Sequence, residues 1–488
     1  MTGKKYRQWS PTQSFLLPPS PADWLPEGHL AYFILDVIDV LDLTHIEREV
    51  QRRDHRGTRP YNPKMMVTLL LYGSCTGVVS SRKIEKATYE DVPFRVIAGG
   101  AHPDHSSISE FRLCHLDSLR QIFLQTVRLA QAAGLVSLGR VALDGTKVQA
   151  NASKHKAMSH RRMVRREAEL KREIDELLAE AERVDREEDE RFGAGRRGDE
   201  IPKELRRRED RLRKIQEAKA ALENEARHAR AERLEELAEG QRSRAEETND
   251  AAERKRALKR AAKSEEDAEK LRDDDDPPRA SSNSEGLPHH RVPNTPDGRP
   301  KPKAQRNFTD PDSRIMKTGQ GFVQGYNCQA VVDEAHQVIV ASGLTNQAPD
   351  QEHLSPLVDQ VADNCGRYPQ QLTADAGYWG ASNVEHCEKC GVDVYIATGR
   401  YAHGKRAPPK GKGNIARAQM RAKLATEEGK KVYARRKAIV EPVFGQHKEA
   451  RGLRRFLLRG LRKVRAEWDL WNASHNLLKL HRSGWAPG

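Results

Sequence analysis

"LTADAGYWG" (residues 372–380) puts a carboxylate where an apolar strand emerges. Leu372, Thr373 and Ala374 read as the end of a small buried strand. Asp375 follows at once, and Gly377 lets the chain turn away. The same form stands upstream in "RVALDGTKV" (140–148), where Asp144 follows Val141, Ala142 and Leu143. Whether the two acids belong to one site depends on how their strands are joined.

Around Asp375 the pattern alternates strand and helix. "QGYNCQAVVDE" and "HQVIVASGLT" read as two strands with a tight turn near Glu334–Ala335, hence a hairpin. "DQEHLSPLVDQVADNCG" reads as an amphipathic helix, "ASNVEHCEKCG" as a helix capped at Ser382, and "VDVYIATG" as a further strand. That order predicts an α/β fold, a mixed sheet with helices on its faces. Residues 135–155 and 306–400 would form this core.

Between its first two strands lies a different composition. Residues 156–272 are nearly all Arg, Lys, Glu, Asp, Ala or Leu. Leu170, Ile174, Leu177 and Leu178, then Leu205, Leu212, Ile215 and Leu222, mark a thin apolar seam on long charged helices, a coiled coil or helical hairpin. "RFGAGRRGDEIP" supplies turn glycines between its halves, and a solvated structural role is its first reading. Residues 273–305, from "DDDDPP" onward, read as a linker.

Residues 1–28 read as a Pro-rich extended arm, and residues 29–134 as a helical domain whose short, basic-started helices suggest a DNA-binding helix-turn-helix module. "DHSSISEFRLCHLDSLRQIFLQTVRLAQAAG" predicts one long helix, with Ser106 or Ser107 as N-cap and Gly134 as terminator. Residues 401–488 hold a basic segment and C-terminal helices; the last, "AEWDLWNASHNLLKLH", is expected to pack back on the core.

Composition narrows the partners. The chain has 488 residues, 85 Lys and Arg against 71 Asp and Glu, and a net charge of +14. Such an excess favours a polyanion, most simply nucleic acid. Anionic membrane is the rival, but no apolar run is long enough to span, and "HLAYFILDVIDVLDL" is interrupted by Asp36, Asp39 and Asp42. Six scattered cysteines fit a reducing cytoplasm.

Strand ends are where sites form in such sheets. Two carboxylates there, on a basic protein, are easiest to explain if hard divalent cations bind between them. A paired-metal site can stabilise both oxygens of an in-line phosphoryl displacement. A third acid is then expected on a later element, and Glu441 in "VEPVFGQHK" is the candidate. A continuous helix would set Lys448, seven residues on, nearly above Glu441. Pro442 requires the helix to kink or to begin there.

"ALDGTKVQANASKHKAMSH", "FTDPDSRIMKT", "GYNCQAVVDE", "LTADAGYWG" and "YARRKAIVEPVFGQHK", in this order, resemble the DDE transposases of bacterial insertion sequences, in the superfamily with insertion sequences four and five. The resemblance extends to "RPYNPKMMVTLLLYG" near the start. It implies an RNase H-like catalytic domain interrupted by the charged helices, with Mg²⁺ (Mn²⁺ substituting) as cofactor. It also implies cutting and joining of transposon ends, and a homodimer on DNA. Asp144, Asp375 and Glu441 would be the catalytic, metal-binding acids, with Lys448 the lysine seven residues after the Glu. The family's tyrosine–arginine pair stands one residue off: Lys437 occupies the arginine position, beside Arg436, and Tyr433 is likewise shifted. Lys448, Lys437, Arg436, Lys405, Lys410 and Lys412 would contact DNA phosphates, as would Arg417, Arg421 and Lys423. A bacterial, nucleoid-associated cytoplasmic enzyme is implied, with no membrane and no small-molecule substrate. Two rivals stay open: a catalytically inactive, transposase-derived DNA-binding protein, and a helical scaffold whose charge is incidental.

Other polar residues read as structural. Asp310 and Asp312 in "FTDPDSR" suit a turn, and Asp333 a hairpin. "HCEKC" (386–390) has a Cys-x-x-Cys spacing without a second pair, which argues against a four-ligand zinc site. His105 and His160 read as ordinary polar residues.

Overall fold

The computed structural model describes residues 23–52, 59–192, 203–272, 287–319, 321–399 and 415–487. Its strands are β1 (Arg140–Gln149), β2 (Ala157–Ser159), β3 (Gln305–Asn307), β4 (Arg314–Thr318), β5 (Gly321–Asp333), β6 (Ile339–Thr345), β7 (Gln371–Ala374) and β8 (Asp393–Ile396). β2 and β3 form a small ladder of their own. The other six make one mixed sheet. β1 pairs antiparallel with β5 and parallel with β7, and β7 pairs parallel with β8. On its far side β5 pairs with β4 and then with β6. The expected α/β class is therefore observed, and β4 is a strand that the Gly-rich "KTGQGF" turn obscured.

The N-terminal region is helical: α1 (Leu30–Val40), α2 (Thr44–Gln51), α3 (Pro63–Thr76), α4 (Ser81–Glu90), α5 (Val92–Ala98), α6 (His105–Cys114) and α7 (Leu116–Ala132). Its starts are written locally. Pro63 opens α3 while Asn62 accepts the Lys64 N–H, and the Ser80 hydroxyl accepts the Lys83 N–H ahead of α4. The single helix expected over 105–133 is two. His115 breaks it, because its ring turns inward and bonds Glu49 Oε2 through Nδ1 at 2.6 Å. The cap is Asp104, whose carboxylate accepts the N–H groups of both Ser106 and Ser107.

The charged stretch holds α8 (His160–Phe192), α9 (Lys203–Glu247) and α10 (Ala251–Glu269). α8 packs on α9 around Met163, Leu170, Ile215 and Leu222, and Glu167 joins them through Lys219 at 2.8 Å. α10 folds back on α9 after a break at which Asp250 caps the new helix. Gly193, Gly195 and Gly198, read as turn residues, lie outside the described residues.

The remaining helices are α11 (Leu354–Cys365), α12 (Ala381–Lys389), α13 (Ile415–Ala425), α14 (Glu427–Gly445) and α15 (Leu461–Arg482). α12 begins at Ala381 without a side-chain cap, so Ser382 lies inside it. Asn383 anchors this start instead, donating to the carbonyls of Gln351 and Tyr378. α15 packs against α3, α7 and β6, with Trp468 and Trp471 buried. The N-terminal helices and the sheet thereby share one hydrophobic core.

Pro442 lies inside α14, neither starting it nor ending it. Proline leaves the carbonyl four residues back without its helical donor. That carbonyl, Ala438 O, is met by Gln337 Nε2 at 2.9 Å, from the β5–β6 turn. The helix continues into a π-helical turn over Gln446–Ala450.

Candidate active site

The parallel register answers the question of the two acids. The last rung between β1 and β7 joins Leu143 to Ala374. Asp144 is the next residue of β1 and Asp375 the first residue after β7, so they stand side by side. A glycine N–H just downstream, one residue on for Asp144 and two for Asp375, holds each. The Gly145 N–H donates to Asp144 Oδ1 at 2.8 Å, and the Gly377 N–H to Asp375 Oδ1 at 2.7 Å. A Cβ at Gly145 would lie 2.5 Å from Gln329 Nε2, and one at Gly377 would lie 2.9 Å from Asp375 Oδ1.

α14 packs across β1 and brings Arg436 to this pair. Arg436 Nη1 donates to Asp144 Oδ2 at 2.8 Å, and its guanidinium lies 6.0 Å from the Tyr433 ring centre. Arg436 thus lies between Asp144 and the Tyr433 ring. Burial pushes the Asp144 carboxyl above the usual carboxylate range; Arg436 opposes the shift, and the neighbouring Asp375 charge adds to it.

Glu441 lies on α14, five residues beyond Arg436. It is exposed and makes no hydrogen bond or ion pair with the described residues. Among the described residues the carboxylates of Asp144, Asp375 and Glu441 do not all come within 4.8 Å of one another. Lys448 is not stacked above Glu441. The π-helical turn aims it at β1, where Nζ donates to the Thr146 hydroxyl and to the Lys147 carbonyl. Thr146 shares the strand face of Asp144, two residues on. Burial pulls the Lys448 ammonium below its ordinary value.

Lys437 is exposed on α14. Lys405, Lys410 and Lys412 lie outside the described residues. Arg417 stacks over Trp379 at 5.6 Å, Arg421 donates to Thr398, and Lys423 is held by Asp393 and the Val394 carbonyl. Asp310 and Asp312 accept from the Gly460 and Leu461 N–H groups and fix the start of α15. Asp333 binds the Ser137 and Leu138 N–H groups, a structural role.

The sequence reading missed the support on the opposite sheet face. Lys147, Asn327 and Gln329 converge on Asp350 Oδ1 at 3.0, 2.7 and 2.9 Å. Gln329 also accepts the hydroxyl proton of Tyr378, a buried residue in the turn after Asp375. The alternation of "DGTK" was the available signal for Lys147; nothing local marked Asp350.

Two family models match. Residues 19–113 match a transposase domain (DUF772), and residues 369–481 match a transposase DDE domain. The second match contains Asp375, Arg436, Glu441 and Lys448, whereas Asp144 falls outside both. No curated protein and no solved structure matches the chain. No helix among the described residues is long and apolar enough to cross a membrane. With a transposase-domain match before the mixed sheet and a transposase DDE-domain match that takes in β7, β8 and Asp375, the chain resembles the DDE transposases of bacterial insertion sequences.

Proposed function

We propose that the protein is a DNA transposase that cuts and joins insertion-sequence ends by metal-dependent phosphodiester hydrolysis and strand transfer. The adjacency of Asp144 and Asp375, in a chain that matches a transposase DDE domain, carries this reading. An RNase H-like catalytic core agrees with a sheet that is antiparallel on one side of β1 and parallel on the other.

The donor set fits hard divalent cations. Two oxygen-only ligands stand together, and the like charges strain each other where burial already disfavours ionisation. Asp144 and Asp375 would hold Mg²⁺, or Mn²⁺ in its place, and Glu441 would complete the set. When bound, the ions activate the attacking oxygen and stabilise the leaving one. Arg436 keeps Asp144 ionised and oriented. Lys448 is tethered to β1 beside the acids, within the reach of a bound phosphate. Exposed Lys437, with Lys405, Lys410 and Lys412, would grip backbone phosphates, giving salt-dependent affinity for transposon ends and target. A homodimer on DNA and association with the nucleoid follow from the same reading.

A DNA fragment carrying the ends that flank this gene tests the proposal, incubated with Mg²⁺ or Mn²⁺. Metal-dependent cleavage by wild type that Asp375→Ala lacks supports it. Binding without cleavage in either metal favours the second reading, a catalytically inactive DNA-binding protein. The observation behind that alternative is the solvent-facing Glu441, apart from the aspartates.

A further inference from the structure

Away from the aspartate pair, α11 and α12 bring together ligand atoms of three chemical kinds. His386 and Cys390 are four residues apart at the end of α12, so imidazole and thiol share one face. The Cys390 N–H donates to the His386 carbonyl at 3.1 Å, which closes that turn. Asp359 of α11 faces them. Its Oδ1 is 2.8 Å from His386 Nε2, and Cys390 Sγ is 3.8 Å from the same nitrogen. All three ligand atoms lie within 4.8 Å of one another. Cys387, the other half of Cys-x-x-Cys, is turned into the core, where burial raises its thiol to about 12. The sequence motif therefore pairs the wrong residues: the histidine and the second cysteine converge, and the first cysteine does not.

We propose that Asp359, His386 and Cys390 bind a thiophilic divalent metal ion, for which Zn²⁺ is the fitting choice. Tetrahedral zinc with nitrogen, oxygen and sulfur ligands sets ligand atoms roughly 3.3–3.7 Å apart. The three side chains need only small rotations to reach that spacing. Thiolate with imidazole selects zinc over Mg²⁺, whereas the oxygen-only Asp144–Asp375 pair has the reverse preference. Three protein ligands would leave a fourth position open, and the Tyr368 hydroxyl already donates to Asp359 Oδ1 at 3.2 Å. The ion would staple the end of α12 to α11. Asn383, at the other end of α12, holds the Tyr378 carbonyl in the turn that follows Asp375. The metal is thus a clamp behind that turn, not a participant in phosphoryl chemistry. The proposal does not depend on the transposase reading.

Cobalt tests it, as a spectroscopic probe in the full-length, chelator-treated protein. Binding through Cys390 gives a thiolate-to-cobalt charge-transfer band that Zn²⁺ abolishes on displacement. The band is expected in wild type, Cys387→Ser and Asp375→Ala, and absent in Cys390→Ser. No band in wild type, or a band that survives Cys390→Ser, overturns the proposal and leaves Asp359–His386 an interhelical hydrogen bond. A second readout needs no variant. Zn²⁺ should slow alkylation of Cys390 by at least about tenfold while exposed Cys114 reacts unchanged. Equal alkylation of Cys390 with and without Zn²⁺ overturns the proposal as well.

Discussion

Asp144 and Asp375 are the first residues beyond the last shared rung of β1 and β7, Leu143 beside Ala374. Their proximity is fixed by backbone register, so neither carboxylate has to be recruited by a loop. Asp144→Asn and Asp375→Asn should each lower cleavage by more than about a thousandfold while DNA affinity stays near wild type. Glu441→Gln tests the third acid in the same way. Cleavage and gel-shift assays on one DNA fragment read both quantities. A variant of any of the three that still cuts at a wild-type rate removes that residue from the catalytic set.

Arg436 occupies the carboxylate of Asp144 that, on the proposed reading, would also bind a metal ion. Arg436→Ala leaves the partly buried Asp144 without its partner, a loss on the order of 1–3 kcal/mol. Divalent cation should return part of it. Mg²⁺ is expected to raise the melting temperature of Arg436→Ala more than that of wild type. Equal shifts would mean that no cation binds at Asp144.

Gly145 is required by contact. A methyl group there meets the Gln329 amide, which holds both Tyr378 and Asp350. Gly145→Ala should cost about 1–3 kcal/mol and disturb the Asp375 turn from the opposite sheet face. Denaturant unfolding gives the first number. Activity that falls further than stability explains would report the second.

Acid should weaken the fold before the carboxylates titrate. Burial lowers His447 to about 3, and His353 and His290 to about 4, from an ordinary value of 6.5. These groups stay neutral in the folded state while the unfolded chain takes up protons. Their contribution is complete above pH 6.5 and is lost as pH falls toward their folded values. Each histidine costs roughly 1.4 kcal/mol per pH unit in that window. Melting temperature should therefore fall between about pH 6.5 and pH 4, and His447→Gln should flatten the slope. A profile unchanged by that variant would show that His447 carries none of it.

Much of this was legible because the signals are local. An apolar run leading into an acid marked both β1 and β7, although β1 does not end at Asp144 but runs on to Gln149, paired with β5. What failed depended on distant partners. His115 breaks a helix because Glu49 lies beneath it, 66 residues away in sequence. Pro442 sits inside a helix because Gln337, on a turn between two strands, supplies the missing donor. The direction of Lys448 follows from a π-helical turn that no residue type announces. The lone Cys-x-x-Cys argued against a zinc site, but spacing does not say which cysteine faces the core: Cys387 does, and Cys390 stands toward His386.

α15 closes the core from the far end of the described chain. β1, β7 and their aspartates are all made before Leu461 leaves the ribosome, but α3, α7 and β6 keep their apolar faces open until α15 arrives to cover them. A chain stopped short would carry both acids on an unclosed scaffold, exposed to proteases. The acids are thus placed by β1 and β7, but the core behind them is closed only by a helix that follows both in the chain.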